Sequence, residues 1–289
     1  MQVKNEDTIQ LIECPRDAMQ GWPHFLPTET KVAYLNLLLQ VGFDTLDFGS
    51  FVSPKAIPQM ADTREVLANL RLENTSTKLL AIVANQRGAL DASVFEEIHY
   101  LGFPFSISPT FQLKNTNSSM EESFDRVKDI QELCIKSGKV LVVYLSMGFG
   151  NPYGDLYDAS ILLEWADRMV QEEIKIISLA DTVGLASPEQ ISLALSTLIP
   201  QYPAVSFGVH LHSSAQNWKD KLKAAHNSGC KRFDGALKGI GGCPMAQDEL
   251  VGNMDTEKMI EYFQEKGLLP DLNAKALMES SMMAGKIFK

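Results

Sequence analysis

Short runs of apolar and β-branched residues alternate along the whole chain with longer stretches whose apolar positions recur every three or four residues. The short runs predict eight strands: Ile9–Cys14, Thr45–Gly49, Lys78–Ala84, Phe105–Ser108, Val140–Leu145, Ile174–Leu179, Ser206–Leu211 and Arg232–Ala236. Their starts recur at intervals of roughly 26 to 36 residues, room each time for a crossover helix, and eight such units close a TIM barrel. The longer stretches predict helices. Thr28–Gln40 opens on Pro27-Thr28-Glu29-Thr30, Ser118–Ser137 carries Glu121, Glu122, Arg126 and Lys128 on a solvent face, and another helix starts at Ser187-Pro188-Glu189. Asp255–Lys266 and Ala274–Ala284 add two helices after the last strand.

The pattern therefore predicts an α/β protein, a (β/α)8 TIM barrel with extra C-terminal helices. An open doubly wound sheet is the competing arrangement, but the first βα turn, Cys14-Pro15-Arg16-Asp17-Ala18-Met19-Gln20-Gly21-Trp22-Pro23, lacks the glycine fingerprint of a dinucleotide-binding half. No linker rich in Pro, Gly or Ser interrupts the pattern. Residues 1–289 read as one catalytic domain, with 240–289 forming a catalytic loop and the additional helices.

Composition narrows the function. A 45% hydrophobic and 21% charged composition is that of an ordinary soluble globular protein. A formal charge of -10 without a basic face argues against a nucleic-acid partner, and the apolar runs fall far below the roughly 20 residues a membrane span needs. Cys14, Cys134, Cys230 and Cys243 are too scattered for a zinc knuckle or redox pair and read as thiols of a reducing compartment. With no leader-like N-terminus and with Ile287-Phe288-Lys289 at the end, the expected location is cytoplasmic.

In a TIM barrel the functional side chains come from the C-terminal strand ends and the loops just after them. Arg16 and Asp17 follow strand one, Asp47 ends strand two, Asn85 follows strand three, Asp181 follows strand six, and His210 and His212 close strand seven. A period of two puts both imidazoles on one face of a strand, where they can share a metal ion. The bland alternative is one core and one surface histidine. Asp17 adds a carboxylate, and an Asn carbonyl from the loop after strand eight adds another oxygen, a mixed set suited to Mg2+ or Mn2+, with Zn2+ possible. Arg16 presents a cation to a developing oxyanion or forms a structural salt bridge. Asp181 is a candidate proton acceptor, since the next helix is better capped at Ser187. Gly239-Ile240-Gly241-Gly242-Cys243-Pro244 either brings a thiol over a substrate or is a plain turn with a buried cysteine.

Together these motifs resemble the hydroxymethylglutaryl-CoA lyases, within the metal-dependent TIM-barrel lyases and Claisen-type synthases. The resemblance covers nearly the whole chain. It is carried by Cys14-Pro15-Arg16-Asp17-Ala18-Met19-Gln20, Ser50-Phe51-Val52-Ser53-Pro54-Lys55, Pro58-Gln59-Met60, Ser119-Met120-Glu121-Glu122-Ser123-Phe124, Ala180-Asp181-Thr182-Val183-Gly184, His210-Leu211-His212 and Gly241-Gly242-Cys243-Pro244. The Arg-Asp and His-x-His elements specify the wider group, and the Ser-Phe-Val-Ser-Pro-Lys and Gly-Gly-Cys-Pro elements point to the lyase.

The resemblance implies Asp17, His210, His212 and Asn253 as metal ligands and Arg16, Asp47, Asp181, His210 and Cys243 as the catalytic set. It also implies an acyl-CoA substrate, contacted by Arg16, Gln20, Ser50, Lys55 and Asn85, and a homodimer. The implied reaction is retro-Claisen cleavage of 3-hydroxy-3-methylglutaryl-CoA to acetoacetate and acetyl-CoA. The alternatives are a lyase or aldolase for another 3-hydroxy-acyl-CoA or hydroxy-oxo acid, and a non-catalytic acyl-CoA-binding barrel. Four departures stand out: Asp47 in place of glutamate, Ser213 in place of aspartate after the second histidine, Asn151 in place of cysteine, and one extra residue between Cys243 and Asn253.

Overall fold

Alternation with a period of two sends successive side chains of a strand to opposite faces, so a strand buried on both faces needs two apolar sets. A computed structural model of the chain describes residues 8–242, 251–269 and 271–289. Its strands β1 (Gln10–Glu13), β2 (Thr45–Ser50), β3 (Lys78–Ile82), β4 (Ile98–Ser106), β5 (Val140–Ser146), β6 (Ile176–Asp181), β7 (Ser206–Ser213) and β8 (Arg232–Gly235) pair in parallel with their neighbours. Pairing of β1 with β8 closes them into a barrel. A ninth strand, β9 (Gly252–Asn253), runs antiparallel to the end of β7.

The main apolar cluster lies between the barrel and its helices and includes Leu35, Leu79, Leu101, Val143, Leu179, Val209 and Phe233. A smaller one, Leu80, Ile82, Tyr100, Val142 and Tyr144, fills part of the barrel interior. Several other interior positions are polar. Arg232 and Asp234 of β8 are buried there, and Gly208 of β7 leaves room for the arginine, since a Cβ on it would lie 3.0–3.1 Å from the Arg232 side chain.

Seven strands agree with the expected ranges to within two residues at each end. The fourth does not. It was expected at Phe105–Ser108 and instead runs from Ile98 to Ser106. Gly102 and Pro104 read as strand breakers, yet both are accommodated. A Cβ at Gly102 would lie 2.6 Å from the Ile82 side chain, so the position demands glycine, and Pro104 comes after the pairing with β3 has ended. The first βα turn is also more regular than expected, because Pro15–Gln20 is a helix with proline in its first turn. The helix expected over Ser118–Ser137 begins at Met120 with a Ser119–Glu122 capping box, after a separate helix, Pro109–Thr116, that ends on left-handed Asn117. Helix Thr256–Gln264 follows β9, and helix Ala274–Ile287 packs on Thr28–Leu38, where Phe288 meets the rings of Trp22 and Tyr34. No helix among the described residues is long and apolar enough to cross a membrane.

Glu13, fully buried at the end of β1, ties this C-terminal portion to the barrel. Its carboxylate accepts from Leu237 N at 2.9 Å and from Thr256 Oγ1 at 2.6 Å. Burial pushes its pKa up to about 8, above the ordinary 4.5, against the pull of those two hydrogen bonds. The folded state thus keeps a proton that the unfolded chain releases near pH 4.5, so stability declines as pH rises from there to about 8. Glu13→Gln should flatten this part of the stability profile, a difference of up to ~4 kcal/mol between the ends of the window. Thermal melts of both proteins from pH 5 to about 9 check it, and superimposable profiles would refute the assignment.

Candidate functional site

A cavity of about 420 Å³ opens at the carboxyl ends of the strands. Arg16, Asp17, Gln20, His210 and His212 form its polar side, and Val52, Ile57, Ile82 and Phe111 its apolar side. Asp17, His210 and His212 each place a ligand atom within 4.8 Å of the others. The helix directly after β1 supplies Asp17 from its first turn, and the alternation of β7 supplies both imidazoles. Asn253 joins them because β9 pairs His212 with Asn253.

Arg16 organises the acidic side. Its Nη2 and Nε donate to Asp47 Oδ2 at 2.5 and 3.0 Å, and its Nη1 donates to Asp17 Oδ1 at 3.1 Å. Arg16 is 8% exposed and lines the cavity, so the salt bridge expected as one of its two readings is formed while the residue still borders the cavity. Asp47 is fully buried behind it, and burial pushes its pKa up to about 6 despite the arginine. Asp17 behaves oppositely. Burial alone would raise it, but Arg16, the two imidazoles and the Asn253 amide outweigh burial and hold it below the usual carboxylate range.

The histidines differ. His212 is pushed down to about 4 by burial and then by its neighbour His210, which keeps it neutral as a metal ligand must be. Burial also works against charge on His210, but Asp234 Oδ2, 3.3 Å from its Nδ1, raises its pKa overall. The same contact engages Nδ1 and leaves Nε2 for another partner.

The donor set fits a divalent cation. Asn253 donates its Nδ2 to Asp17 Oδ2 at 2.7 Å and to the Ile240 carbonyl at 2.9 Å, while its Oδ1 is buried without a hydrogen-bond partner among the described residues. A buried amide with an unpartnered oxygen, bonded to the carboxylate that sits with the two imidazoles, is what a cation would satisfy.

The other expected residues lie elsewhere. Gln20 lines the cavity and donates to Asp17 Oδ1 at 2.9 Å. Ser50 and Asn85 line a separate cleft, where Ser50 Oγ accepts from Val52 N and Asn85 caps helix Gln86–Ser93. Lys55 is exposed and lines neither the cavity nor the cleft. Asp181 is buried and turned from the cavity, with Lys221 Nζ 2.7 Å from its Oδ2 and Ala186 N donating to its Oδ1. Burial raises its pKa even against that ammonium. Cys243 lies outside the described residues. Two of the departures are resolved locally: Ser213 turns to Met254 Sδ at 3.6 Å, and Asn151 holds the loop to Asp155 with bonds to Tyr153 N, Asp155 N and Asp155 O.

Asp234, Lys221, Tyr144 and Thr182 escaped the reading of the sequence. An acid two residues from Arg232 on a barrel strand was a usable signal for Asp234. Lys221, by contrast, is one of three lysines in Lys219-Asp220-Lys221-Leu222-Lys223, and only the helix phase sets it apart.

A parallel α/β barrel with an Asp-His-His donor cluster at the carboxyl edge of its strands defines the class, a barrel enzyme built around a candidate metal centre. The HMGL-like family model matches residues 9–283, and the chain belongs to that family of carbon-carbon lyases. A hydroxymethylglutaryl-CoA lyase of Bacillus subtilis is 30% identical over 270 residues, covering 92% of this chain and 88% of that one. An (R)-citramalyl-CoA lyase of Chloroflexus aurantiacus is 28% identical over 276 residues, covering 92% and 86%. The structure of an HMG-CoA lyase from Acinetobacter baumannii, in complex with coenzyme A and 3-methylmalate, superposes with a TM-score of 0.90 at 28% identity, covering 100% of this chain and 93% of that one.

The ammonium of Lys221 also donates to the carbonyls of Gly184 at 3.0 Å and His212 at 2.8 Å, fastening the end of β7 to the loop after β6. Lys221→Met would leave Asp181 buried without its cation, at a cost of about 3–5 kcal/mol, and Asp181→Asn in the same chain should restore most of it. Urea denaturation measures both, and a Lys221→Met cost below about 1 kcal/mol would contradict the clamp.

Proposed function

We propose that this chain is a divalent-metal-dependent lyase that cleaves 3-hydroxy-3-methylglutaryl-CoA to acetoacetate and acetyl-CoA. The observation that carries the proposal is the convergence of Asp17, His210 and His212 beside Arg16 on one cavity, with the amide of Asn253 bonded to Asp17 and its oxygen unpartnered among the described residues. Family membership and the names of the relatives supply the substrate. Asp17, His210, His212 and Asn253 would hold Mg2+ or Mn2+. A bound cation supplies a Lewis acid that lowers the pKa of a substrate hydroxyl.

The protein's own groups do the rest. The substrate alcohol proton passes to a base: Asp181, held by Lys221, does not border the cavity, whereas His210 does, and with its Nδ1 engaged by Asp234 its Nε2 serves either as metal ligand or as that base, not as both at once. As the bond between C2 and C3 breaks, negative charge moves to the thioester oxygen. Arg16, fixed by Asp47, faces the cavity with its charge already oriented, so stabilising that oxygen needs little reorganisation. Asp47 reaches the guanidinium through two bonds despite being one methylene shorter than the glutamate of related chains. Cys243 then protonates the enolate carbon to give acetyl-CoA. The apolar wall of Val52, Ile57, Ile82 and Phe111 keeps water from the forming acetoacetate. The proposal extends to one catalytic domain over the whole chain, working in the cytoplasm as a homodimer.

A coupled assay of acetyl-CoA release from hydroxymethylglutaryl-CoA, with and without Mg2+ or Mn2+, tests the reading. Release only with metal is expected, and a metal-loaded protein that turns over citramalyl-CoA but not this substrate would overturn it. His212→Ala should weaken Mn2+ binding more than ~100-fold by calorimetry. Cys243→Ser should leave that affinity unchanged while cutting turnover at least ~100-fold.

A further inference from the structure

The imidazole of His210 has a second set of neighbours deeper in the barrel. Its Nδ1 is 3.3 Å from Asp234 Oδ2, and with Cys14 the two residues form a group whose nitrogen, oxygen and sulfur ligand atoms all lie within 4.8 Å of one another. Strand pairing makes the group: His210 of β7 is opposite Asp234 of β8, which is opposite Ile12 of β1, two residues before Cys14. Cys14 and Asp234 are 1% and 2% exposed.

Two observations mark the group as a site. Asp234 Oδ1 is buried with no hydrogen-bond partner among the described residues, a costly state that a cation would relieve. The Cys14 thiol makes one weak hydrogen-bond contact, 3.8 Å to the Ile12 carbonyl, and lies among the carboxylates of Asp234, Asp47 and Asp17, with the Arg16 guanidinium the neighbouring cation.

We propose that Cys14, His210 and Asp234 form a second metal site, selective for thiophilic divalent ions such as Zn2+ and Cd2+, that competes with the Asp17-His210-His212 centre for the shared imidazole. Sulfur in the donor set selects these ions over Mg2+ and Mn2+. Bonds of about 2.0–2.3 Å in a tetrahedral zinc site place donors roughly 3.3–3.7 Å apart, a spacing the His210–Asp234 pair already has and the other pairs reach by closing at most about 1.5 Å. On binding, the Cys14 thiol loses its proton to solvent and the sulfur, His210 Nδ1 and Asp234 become ligands. An imidazole bound through Nδ1 is a weaker donor at Nε2, and two dications across one ring repel, so filling one site opposes filling the other.

The competition rests on the role of His210 in the proposed function, whereas the sulfur site does not, and the experiment separates them. All proteins carry Cys243→Ser, so the loop thiol contributes nothing. Metal-free protein is titrated with Cd2+ and followed by the ultraviolet thiolate-to-cadmium band. Protein preloaded with Mn2+ is then titrated with Cd2+ and followed by the paramagnetic resonance of released Mn2+. The expected result is one Cd2+ per chain with a thiolate band and matching release of Mn2+. Cys14→Ser should abolish the band and raise the Cd2+ needed for Mn2+ release at least about tenfold. Should that variant fail to fold by circular dichroism, X-ray absorption of the zinc-loaded Cys14 protein must show one sulfur on the zinc. No band, a band that survives Cys14→Ser, or zinc without sulfur overturns the site. A Cys14-dependent band with Mn2+ retained overturns the competition, and one in a protein that never bound Mn2+ upholds the sulfur site while the principal centre fails.

Discussion

The buried guanidinium of Arg16 is the constraint around which the rest of the site is arranged. A cation at 8% exposure must be paired, and Arg16 is paired twice, with Asp47 behind it and Asp17 beside it. The first pair fixes the helix after β1 against β2. The second holds Asp17 ionised and turned toward the histidines. One side chain thus sets the charge of the metal-facing carboxylate and presents a cation to the cavity. Asp47 does this at a cost, because burial lifts its own pKa to about 6 and leaves the pair dependent on the arginine.

The opposite side of the site depends on the two-residue alternation of β7 and β8. It stacks His210 and His212 on one strand and Arg232 and Asp234 on the next, a polar column inside the barrel. Gly208 makes the column possible by giving way to Arg232, and Asp234 orients the imidazole above it. Lys221 secures the column's upper end, where the His212 carbonyl, Gly184 and Asp181 share one ammonium. Asp181 therefore contributes by holding backbone in place, one step removed from the cavity.

Much of this was legible in the sequence, and the exceptions have physical causes. Eight apolar runs at crossover spacing are enough for a barrel, because few other arrangements bury strands on both faces. The fourth strand was misplaced because Gly102 and Pro104 are usually breakers; packing against the Ile82 side chain accounts for the first and the end of the pairing with β3 for the second. Arg16, Asp17, His210 and His212 were legible because short spacings place them on one strand end or one helical turn. Asn253 came only with the family resemblance, since its place depends on β9 pairing with β7, far apart in the chain. Whether a given aspartate faces a cavity or a lysine is likewise set by tertiary packing, which separates Asp234 and Asp181 from other acids of similar context.

The claim at the centre of this account is that Asp17, His210, His212 and Asn253 are arranged to hold one hard divalent cation. Anomalous scattering from crystals grown with Mn2+ tests it most directly. The account predicts a single strong peak bounded by the Asp17 carboxylate, both imidazoles and Asn253 Oδ1, with the Asn253–Asp17 hydrogen bond replaced by bonds to the ion. A map without a peak there, with Asn253 still donating to Asp17, would contradict it.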